Sequence, residues 1–198
     1  MDFTKEINGH ILEFYEDDHT YLVDGLIVPS VSEVLSVKFG KKYTGVSEAT
    51  LKARAEEGTH IHEQIEMFCK TGEAEELPEV RNFKFLQKAF KFEVVDNEVP
   101  VILWERSEPI CAGRLDMVIK KDGELGLADI KRTSVLDRDY LFYQLNLYKI
   151  AYEQCYWQDI GFLTGLHLKE DKRKYAPIPI DRRGMVWELI MEYQRREK

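Results

Sequence analysis

Residues 104–132, WERSEPICAGRLDMVIKKDGELGLADIKR, predict a β-hairpin that brings two carboxylates face to face. The dipeptide Asp122-Gly123 in this stretch is among the strongest local signals for a two-residue hairpin turn. Counting back from that turn along both strands sets Asp116 opposite Asp129. Side chains alternate between the two faces of a strand, so Lys131 shares a face with Asp129. The stretch therefore predicts two carboxylates and an ammonium group on one face of a hairpin.

Like charges directly opposite each other destabilise a hairpin unless a cation lies between them, because their Cβ atoms are only about 4.5–5.5 Å apart. Carboxylate oxygens are hard ligands that suit Mg²⁺ or Mn²⁺ together with water and phosphate oxygens. The ammonium of Lys131 could then orient an attacking water or stabilise charge that develops on a phosphate. The other face, with Leu115, Met117 and Ile119, is expected to pack in the core. The alternative is a solvated hairpin whose Asp and Lys side chains only decorate the surface.

The composition is that of an ordinary globular protein, with 44% apolar and 32% charged residues among 198. A net charge of -8 argues against a broadly basic nucleic-acid coat protein, but it is compatible with an enzyme that grips DNA through a local groove. Three cysteines without C-x-x-C spacing indicate a reducing compartment and argue against a cysteine-ligated metal. No apolar run reaches membrane-spanning length and the N-terminus is polar, so we expect a cytoplasmic protein without a membrane partner.

Turn and capping signals divide the chain into a β-rich start, two helices, and a region of alternating strands and helices. Short strands from about 10 to 28 predict a small N-terminal β-meander. Ser30, with Glu33 three residues later, predicts a helix that begins with a capping box. Ser47 is expected to cap a longer helix that ends near residue 70. Gly58 interrupts that helical pattern, which indicates either a break or the close approach of another backbone or a ligand.

Further helices are predicted after Pro78, after Asp137 and from about Arg182. The strand near Pro177 and Pro179 is expected to lie at the edge of a sheet, because proline cannot donate a backbone hydrogen bond. Neither a repeat nor a clear linker is found. The order of elements therefore predicts a single α+β domain over residues 1–198.

Other residues outside the hairpin are candidates for the same site. His62 and Glu66 are one helical turn apart and share a face, so both could reach a site that packs against that face. A single helical histidine is more often a packed or surface residue. Glu105 lies on the strand before Asp116 and could be a further metal or water ligand.

Gln144 and Tyr148 lie four residues apart on one face of the helix that follows Lys131. Their amide and phenol could contact a phosphate or a frayed base, and Arg132 could contact a phosphate. The alternative is an amphipathic core helix with a tolerated glutamine and an ordinary solvated arginine. No phosphate-binding loop, dinucleotide-binding glycine pattern or serine-hydrolase motif is found in the sequence.

Four short motifs together resemble the PD-(D/E)XK nuclease superfamily, and specifically its RecB-type branch. Residues 58–62, GTHIH, are similar to the G-T-x-x-H helix of that branch. Residues 113–116, GRLD, resemble its G-x-x-D strand, and residues 129–131, DIK, its D-x-K strand. Residues 144–148, QLNLY, resemble its Q-x-x-x-Y helix. The motifs occur in the order typical of the family and span about half of the chain.

The resemblance implies a restriction-endonuclease-like core, in which a central mixed β-sheet is flanked by helices, and hydrolysis of DNA phosphodiester bonds with Mg²⁺ or Mn²⁺. It implies that His62, Asp116, Asp129 and the carbonyl of Ile130 bind the metal, while Lys131 assists the nucleophilic water. It also implies that Gln144 and Tyr148 belong to the active site, with catalytic or substrate-binding roles. On this basis the domain divides into a meander and helix at 1–45, a catalytic core at 46–181 and a C-terminal helix at 182–198.

Departures from the family pattern narrow the resemblance to one group of its members. The second acidic residue is Asp129, where glutamate is more common, and the three cysteines cannot supply the four-cysteine iron–sulfur cluster of some members. The chain also lacks a helicase motor. It therefore resembles the compact nucleases of phage and mobile-element recombination systems, which often have a single-strand annealing protein as a partner.

The resulting prediction is a deoxyribonuclease of DNA recombination or repair, with exonuclease action preferred. The alternatives are a structure-selective endonuclease and a non-catalytic DNA-binding or inhibitor module that retains the nuclease fold. Nothing in the sequence marks an oligomer interface, although a ring around DNA would give processivity.

Overall fold

A computed structural model describes residues 2–40 and 48–196, with side chains described for all of them except 48–56. Four antiparallel strands near the N-terminus form one sheet in chain order, namely β1 (Phe3–Ile7), β2 (His10–Tyr15), β3 (Thr20–Val23) and β4 (Leu26–Val28). The predicted meander is confirmed. It has one more strand than predicted, because β1 pairs with β2 through a tight turn at Asn8-Gly9 in which both residues have positive φ.

Five further strands form a second sheet, again in chain order, namely β5 (Glu93–Glu105), β6 (Glu108–Lys121), β7 (Glu124–Lys131), β8 (Phe162–Lys169) and β9 (Lys172–Ile178). All neighbours are antiparallel except β7 and β8, which are parallel. The nineteen-residue helix α4 (Arg138–Tyr156) connects this parallel pair, since parallel strands need a long crossover. The strand β9 lies at the sheet edge, as its prolines predict.

The remaining helices are α1 (Val31–Phe39), α2 (Glu48–Thr71), α3 (Pro78–Phe90) and α5 (Met185–Arg196). The capping box of α1 is confirmed, because Ser30 Oγ accepts from the Glu33 amide at 3.1 Å and Glu33 Oε2 accepts from the Ser30 amide at 2.6 Å. The helix α2 continues through Gly58, so the predicted break is absent. The proposed cap at Ser47 lies outside the described residues. The C-terminal helix begins at Met185 instead of near Arg182, after a turn at Gly184.

Two clusters of buried apolar side chains cover the mixed sheet. The larger cluster joins the meander, α1, α4 and α5 to the sheet. The smaller one joins α2 and α3 to it, through side chains such as Ile65, Phe83 and Met117. Leu115, Met117 and Ile119 are all buried, as the alternation predicts. These findings show an α+β fold with a mixed sheet flanked by helices.

The meander is attached to the middle of β6. The Ala112 amide donates to the Pro29 carbonyl at 2.9 Å, and Ser30 forms an isolated parallel bridge with Ala112. This attachment places β2 and β3 close to the strand segment that carries Gly113 and Asp116. No helix in the described part of the chain is both long and apolar enough to cross a membrane.

Candidate metal centre

The hairpin of β6 and β7 has the predicted register. Lys121 pairs with Glu124, and the pairing continues to Met117 opposite Ala128. Asp122 and Gly123 both have positive φ, as a type I′ turn requires. One step further lie Asp116 and Asp129. There the Asp116 carboxylate accepts a hydrogen bond from the Ile130 amide at 2.7 Å. The backbone pairing of the two strands ends at Met117 and Ala128, and this side chain is the acceptor just beyond it.

A third carboxylate, Glu98, lies in the same row across the sheet. The pairs Asn97–Met117 and Val99–Leu115 place Glu98 opposite Asp116 on β5. Glu98 has a φ of 51°, a left-handed conformation that is rare for a residue other than glycine and costs roughly 1–3 kcal/mol. The sequence reasoning missed this residue. The structure therefore shows a row of Glu98, Asp116 and Asp129 on three adjacent strands.

His62 approaches this row from α2. Its Nδ1 lies 3.6 Å from Glu98 Oε1 and 3.8 Å from Asp116 Oδ2. Burial lowers the pKa of His62, but the carboxylates of Asp116 and Glu98 outweigh that effect and raise the pKa to about 9. At neutral pH His62 is therefore a cation beside these two carboxylates, and Arg114 is another, with its Nε 2.6 Å from Glu98 Oε2.

Asp129 and Lys131 form a close ion pair at the other end of the row. Lys131 Nζ lies 2.9 Å from Asp129 Oδ1 and 2.7 Å from Oδ2, and only the contact with Oδ1 has hydrogen-bond geometry. Oδ2 is buried and accepts no hydrogen bond from the described residues. Burial raises the pKa of Asp129 above its ordinary value, and Lys131 only partly opposes this. Burial lowers the pKa of Lys131, but Asp129 and Asp116 outweigh it, so the net pKa of the lysine is raised.

The helix α4 presents Tyr148 to a cavity beside this row, whereas Gln144, one turn earlier, is not among the residues that line it. Tyr148 packs against Gly113, where an added Cβ would lie 3.0 Å from the tyrosine Cε1. Burial raises the pKa of Tyr148 well above its ordinary value, and Asp116 and Asp129 add to this rise, so the phenol stays protonated. Gln144 is buried, and its Oε1 has no hydrogen-bond partner among the described residues.

His62 and two members of the row, Glu98 and Asp116, line the same cavity of about 640 Å³, whereas Asp129 and Lys131 are not among its lining residues. Glu66, one turn after His62, also lines it and forms an ion pair with Lys70. Gly58 lines it as well, and a Cβ at this position would have no neighbour within 4 Å. The sequence offered a break, a close backbone or a ligand as reasons for Gly58. The helix is continuous and the space beside Gly58 is open, so the geometry favours room for a ligand.

The donor atoms fit a hard divalent cation. One donor atom each from His62, Glu98 and Asp116 lies within 4.8 Å of the other two. Around Mg²⁺, ligands at about 2.1 Å are separated by about 3.0–4.2 Å, so shifts of about 1 Å would close the set. The buried Asp129 Oδ2 in the same row is a further oxygen, which has an ion-pair contact with Lys131 but accepts no hydrogen bond from the described residues. One nitrogen with several carboxylate oxygens suits Mg²⁺ or Mn²⁺.

Two candidates from the sequence lie away from this centre. Glu105 pairs with Glu108 at the far end of β6, eight residues from Asp116 and thus roughly 25 Å along the strand, so it does not reach the site. Arg132 donates to the buried Glu79 and to Glu57, each at 2.9 Å. These two contacts tie the end of β7 to α3 and α2, and they favour a structural role over phosphate binding.

Comparison with known proteins adds little to this geometry. No protein-family model matches the chain, and no curated protein matches it in sequence. The solved structure described as "Crystal structure of SSO0001" is similar over 86% of this chain and 77% of its own chain, with 14% sequence identity and a TM-score of 0.48. A likeness of this size carries no argument, so the function has to be argued from the site.

Proposed function

We propose that the protein is a divalent-metal-dependent nuclease that hydrolyses phosphodiester bonds of DNA. The observation that carries this proposal is the convergence of His62, three aligned carboxylates and Lys131, with His62, Glu98 and Asp116 lining one cavity. These are the residue types of the four motifs that resemble the RecB-type nucleases, with Glu98 added by the fold. The donor set fits Mg²⁺ or Mn²⁺, whereas no nucleophilic Ser or Cys lines the described part of the cavity in a catalytic arrangement.

A divalent cation held by His62, Glu98, Asp116 and Asp129 would polarise a phosphate and acidify a water molecule. The Ile130 amide holds the Asp116 carboxylate in place at 2.7 Å, so this ligand is oriented before a cation binds. The Arg114 guanidinium does the same for Glu98, with Nε 2.6 Å from Oε2. These contacts restrict the two carboxylates before a cation binds, which lowers the ordering cost of binding.

Lys131 supplies a fixed positive charge at the row. The raised pKa means that it remains an ammonium at neutral pH, so it cannot serve as a general base. Its role in this proposal is to orient the attacking water by hydrogen bonding and to stabilise the negative charge of the pentacovalent phosphorus. Tyr140, whose ring centroid lies 5.7 Å from Lys131 Nζ, adds a cation–π contact that holds the ammonium.

Tyr148 extends the site along α4, and Gln144 lies one turn before it. The protonated phenol of Tyr148 is a hydrogen-bond donor at the cavity wall, and the Gln144 amide offers a buried acceptor without a partner. The Tyr148 phenol can contact the nucleotide next to the cleaved bond. We further propose an exonuclease of DNA recombination or repair that acts in the cytoplasm, with a single-strand annealing protein as a partner.

The test is cleavage of end-labelled linear DNA and of covalently closed circular DNA by the purified protein, with Mg²⁺, Mn²⁺ or EDTA. Cleavage is expected with either metal and not with EDTA, and loss of at least a hundredfold in rate is expected for Asp116→Asn, Asp129→Asn and Lys131→Met. Preference for the linear substrate identifies an exonuclease, and cleavage of the circle identifies an endonuclease.

Asp122→Asn is the matched control, because Asp122 lies at the turn of the same hairpin, is exposed, and Asn-Gly suits a type I′ turn equally well. This variant should cleave at the wild-type rate. Absence of metal-dependent cleavage by the folded wild-type protein on every DNA substrate would overturn the proposal, as would full activity of Asp116→Asn.

A further inference from the structure

The N-terminal meander supplies an aromatic wall to the cavity that holds the carboxylate row. Phe14 and Tyr21 are a cross-strand pair on β2 and β3, with ring centroids 4.6 Å apart. The His19 ring, from the turn between these strands, lies edge-on to both at 5.2 and 5.8 Å. All three rings line the same cavity as His62 and Asp116. One cavity therefore combines aromatic rings with the metal-ligating groups.

His19 is the exposed ring of this group. Phe14 and Tyr21 are only 3% and 4% exposed and belong to the core, so they form a rigid support beneath the imidazole. The His19 backbone has a φ of 56°, in the left-handed region that few residues other than glycine adopt. Turn residues often have this conformation, so it is the contacts with Phe14 and Tyr21 that order the ring. The arrangement holds a flat ring at the cavity in a defined orientation.

Arg114 connects the aromatic wall to the carboxylates. Its guanidinium lies 5.8 Å from the centroid of Phe14, and its Nε lies 2.6 Å from Glu98 Oε2. The cavity thus offers a flat ring, a cation and metal ligands within about 640 Å³, a volume typical of sites that enclose one small ligand. A nucleotide has the complementary features, since it carries a flat base next to an anionic phosphate.

We propose that His19, supported by Phe14 and Tyr21, is a stacking subsite for one unpaired base of the DNA strand whose phosphate lies at the carboxylate row. This inference rests on the proposed nuclease function. Inside a duplex both faces of a base are covered by its neighbours, so the base has to leave the stack before it can lie against His19. The subsite therefore selects a strand that offers an unpaired nucleotide.

Binding measurements test the subsite independently of cleavage. The protein with Asp116→Asn would be titrated into a fluorescein-labelled single-stranded ten-nucleotide oligomer and into a blunt-ended duplex hairpin, and binding would be followed by fluorescence anisotropy with Mn²⁺ present. The expected result is tighter binding of the single strand. His19→Ala should weaken that binding about 5- to 100-fold, the range for one base stacked on an aromatic ring, while His19→Phe should restore it.

Tyr15→Ala is the matched control, because Tyr15 is an exposed aromatic residue of β2 that does not line the cavity. It should bind the single strand like its parent. Equal binding by His19→Ala and its parent, equal binding of duplex and single strand, or no binding of either would overturn the subsite. A different outcome would contradict the nuclease function alone. In that case the wild-type protein binds the single strand with the expected dependence on His19 but never cleaves it.

Discussion

At the scale of one residue, the burial of the Asp129 carboxylate lowers the stability of the fold. This residue is 2% exposed, and one of its carboxylate oxygens accepts no hydrogen bond from the described residues. Burial of an ionised carboxylate is costly even beside an ammonium, because desolvation can exceed the Coulombic gain. Without a bound metal ion, the ionised form of Asp129 therefore destabilises the folded protein. The raised pKa of this carboxyl reflects that cost.

The pH dependence of stability follows from this shift. The pKa of Asp129 rises from its ordinary 3.8 to about 6 on folding, so the folded protein holds the proton more tightly than the unfolded chain. The contribution of Asp129 to the free energy of unfolding is therefore full below pH 4 and is lost as the pH rises through 6. In EDTA, the stability of Asp129→Asn relative to wild type should therefore rise by about 1–3 kcal/mol between pH 4 and pH 7, because only the wild type loses a proton from this buried position.

Urea denaturation of both proteins between pH 4 and pH 7 measures this effect. The difference between their free energies of unfolding should grow with pH and level off above pH 6. Asp122→Asn, which removes an exposed carboxylate from the same hairpin, should show no such gain. A difference in stability that does not grow between pH 4 and pH 7 would contradict the assignment of Asp129 as a buried carboxyl with a raised pKa.

At the scale of elements, the packing of α4 on β6 sets the position of Tyr148. Gly113 allows this close approach, since a Cβ there would lie 3.0 Å from Tyr148 Cε1 and 3.1 Å from Val31 Cγ2. Both neighbours are buried, and an aromatic ring cannot yield as a flexible chain end can. The first residue of the GRLD segment therefore acts through packing, while its last residue acts through its charge.

Gly113→Ala should lower the free energy of unfolding by about 1–3 kcal/mol, because it overpacks this contact. It should also lower cleavage, because the Tyr148 ring has to move. Gly58→Ala is the matched substitution, in a helix and with nothing within 4 Å. It should raise stability by about 0.5–1 kcal/mol. Thermal and urea denaturation of the two variants would compare them, and equal stability of Gly113→Ala and wild type would contradict the packing argument.

At the scale of the whole molecule, the candidate metal centre is where separate parts of the chain meet. Its side chains come from α2, β5, β6 and β7, with α4 and the meander closing the cavity. A ligand that binds only the folded state stabilises the whole protein, by about 2.7 kcal/mol at a concentration one hundred times its dissociation constant. Cation binding is thus expected to stabilise the entire fold.

Saturating Mn²⁺ should raise the Tm by about 5–10 °C relative to EDTA, given the usual 2–4 °C per kcal/mol for a protein of this size. The cation also replaces the proton on His62, so the rise should be larger at pH 8 than at pH 6. Differential scanning calorimetry measures both effects. Asp116→Asn should lose the rise and Asp122→Asn should keep it, and an equal rise in all three proteins would show that Mn²⁺ binds elsewhere.

Local patterns in the sequence determined turns, strand faces and a helix cap of this molecule. The Asp122-Gly123 turn, the alternation around Asp116 and the capping box at Ser30 each depend on residues a few positions apart, and each prediction is confirmed. Turn chemistry and side-chain period are properties of short segments, so they can be read without knowledge of the rest of the chain. The order of the four motif segments also indicated that they would meet, and the structure brings His62, Asp116, Lys131 and Tyr148 together.

Only the tertiary structure revealed Glu98 and excluded Glu105. A two-residue turn at Arg106-Ser107 alone would place Asn97 opposite Asp116, but a bulge at Ile110 shifts the pairing of β5 and β6 by one residue and brings Glu98 into the row. Bulges have no firm local signal, because they depend on how a strand fits its neighbours. The ion pairs of Arg132 and the aromatic wall of the meander likewise join residues far apart in the chain. Packing between such distant segments, and no local pattern, decided which side chains share the cavity.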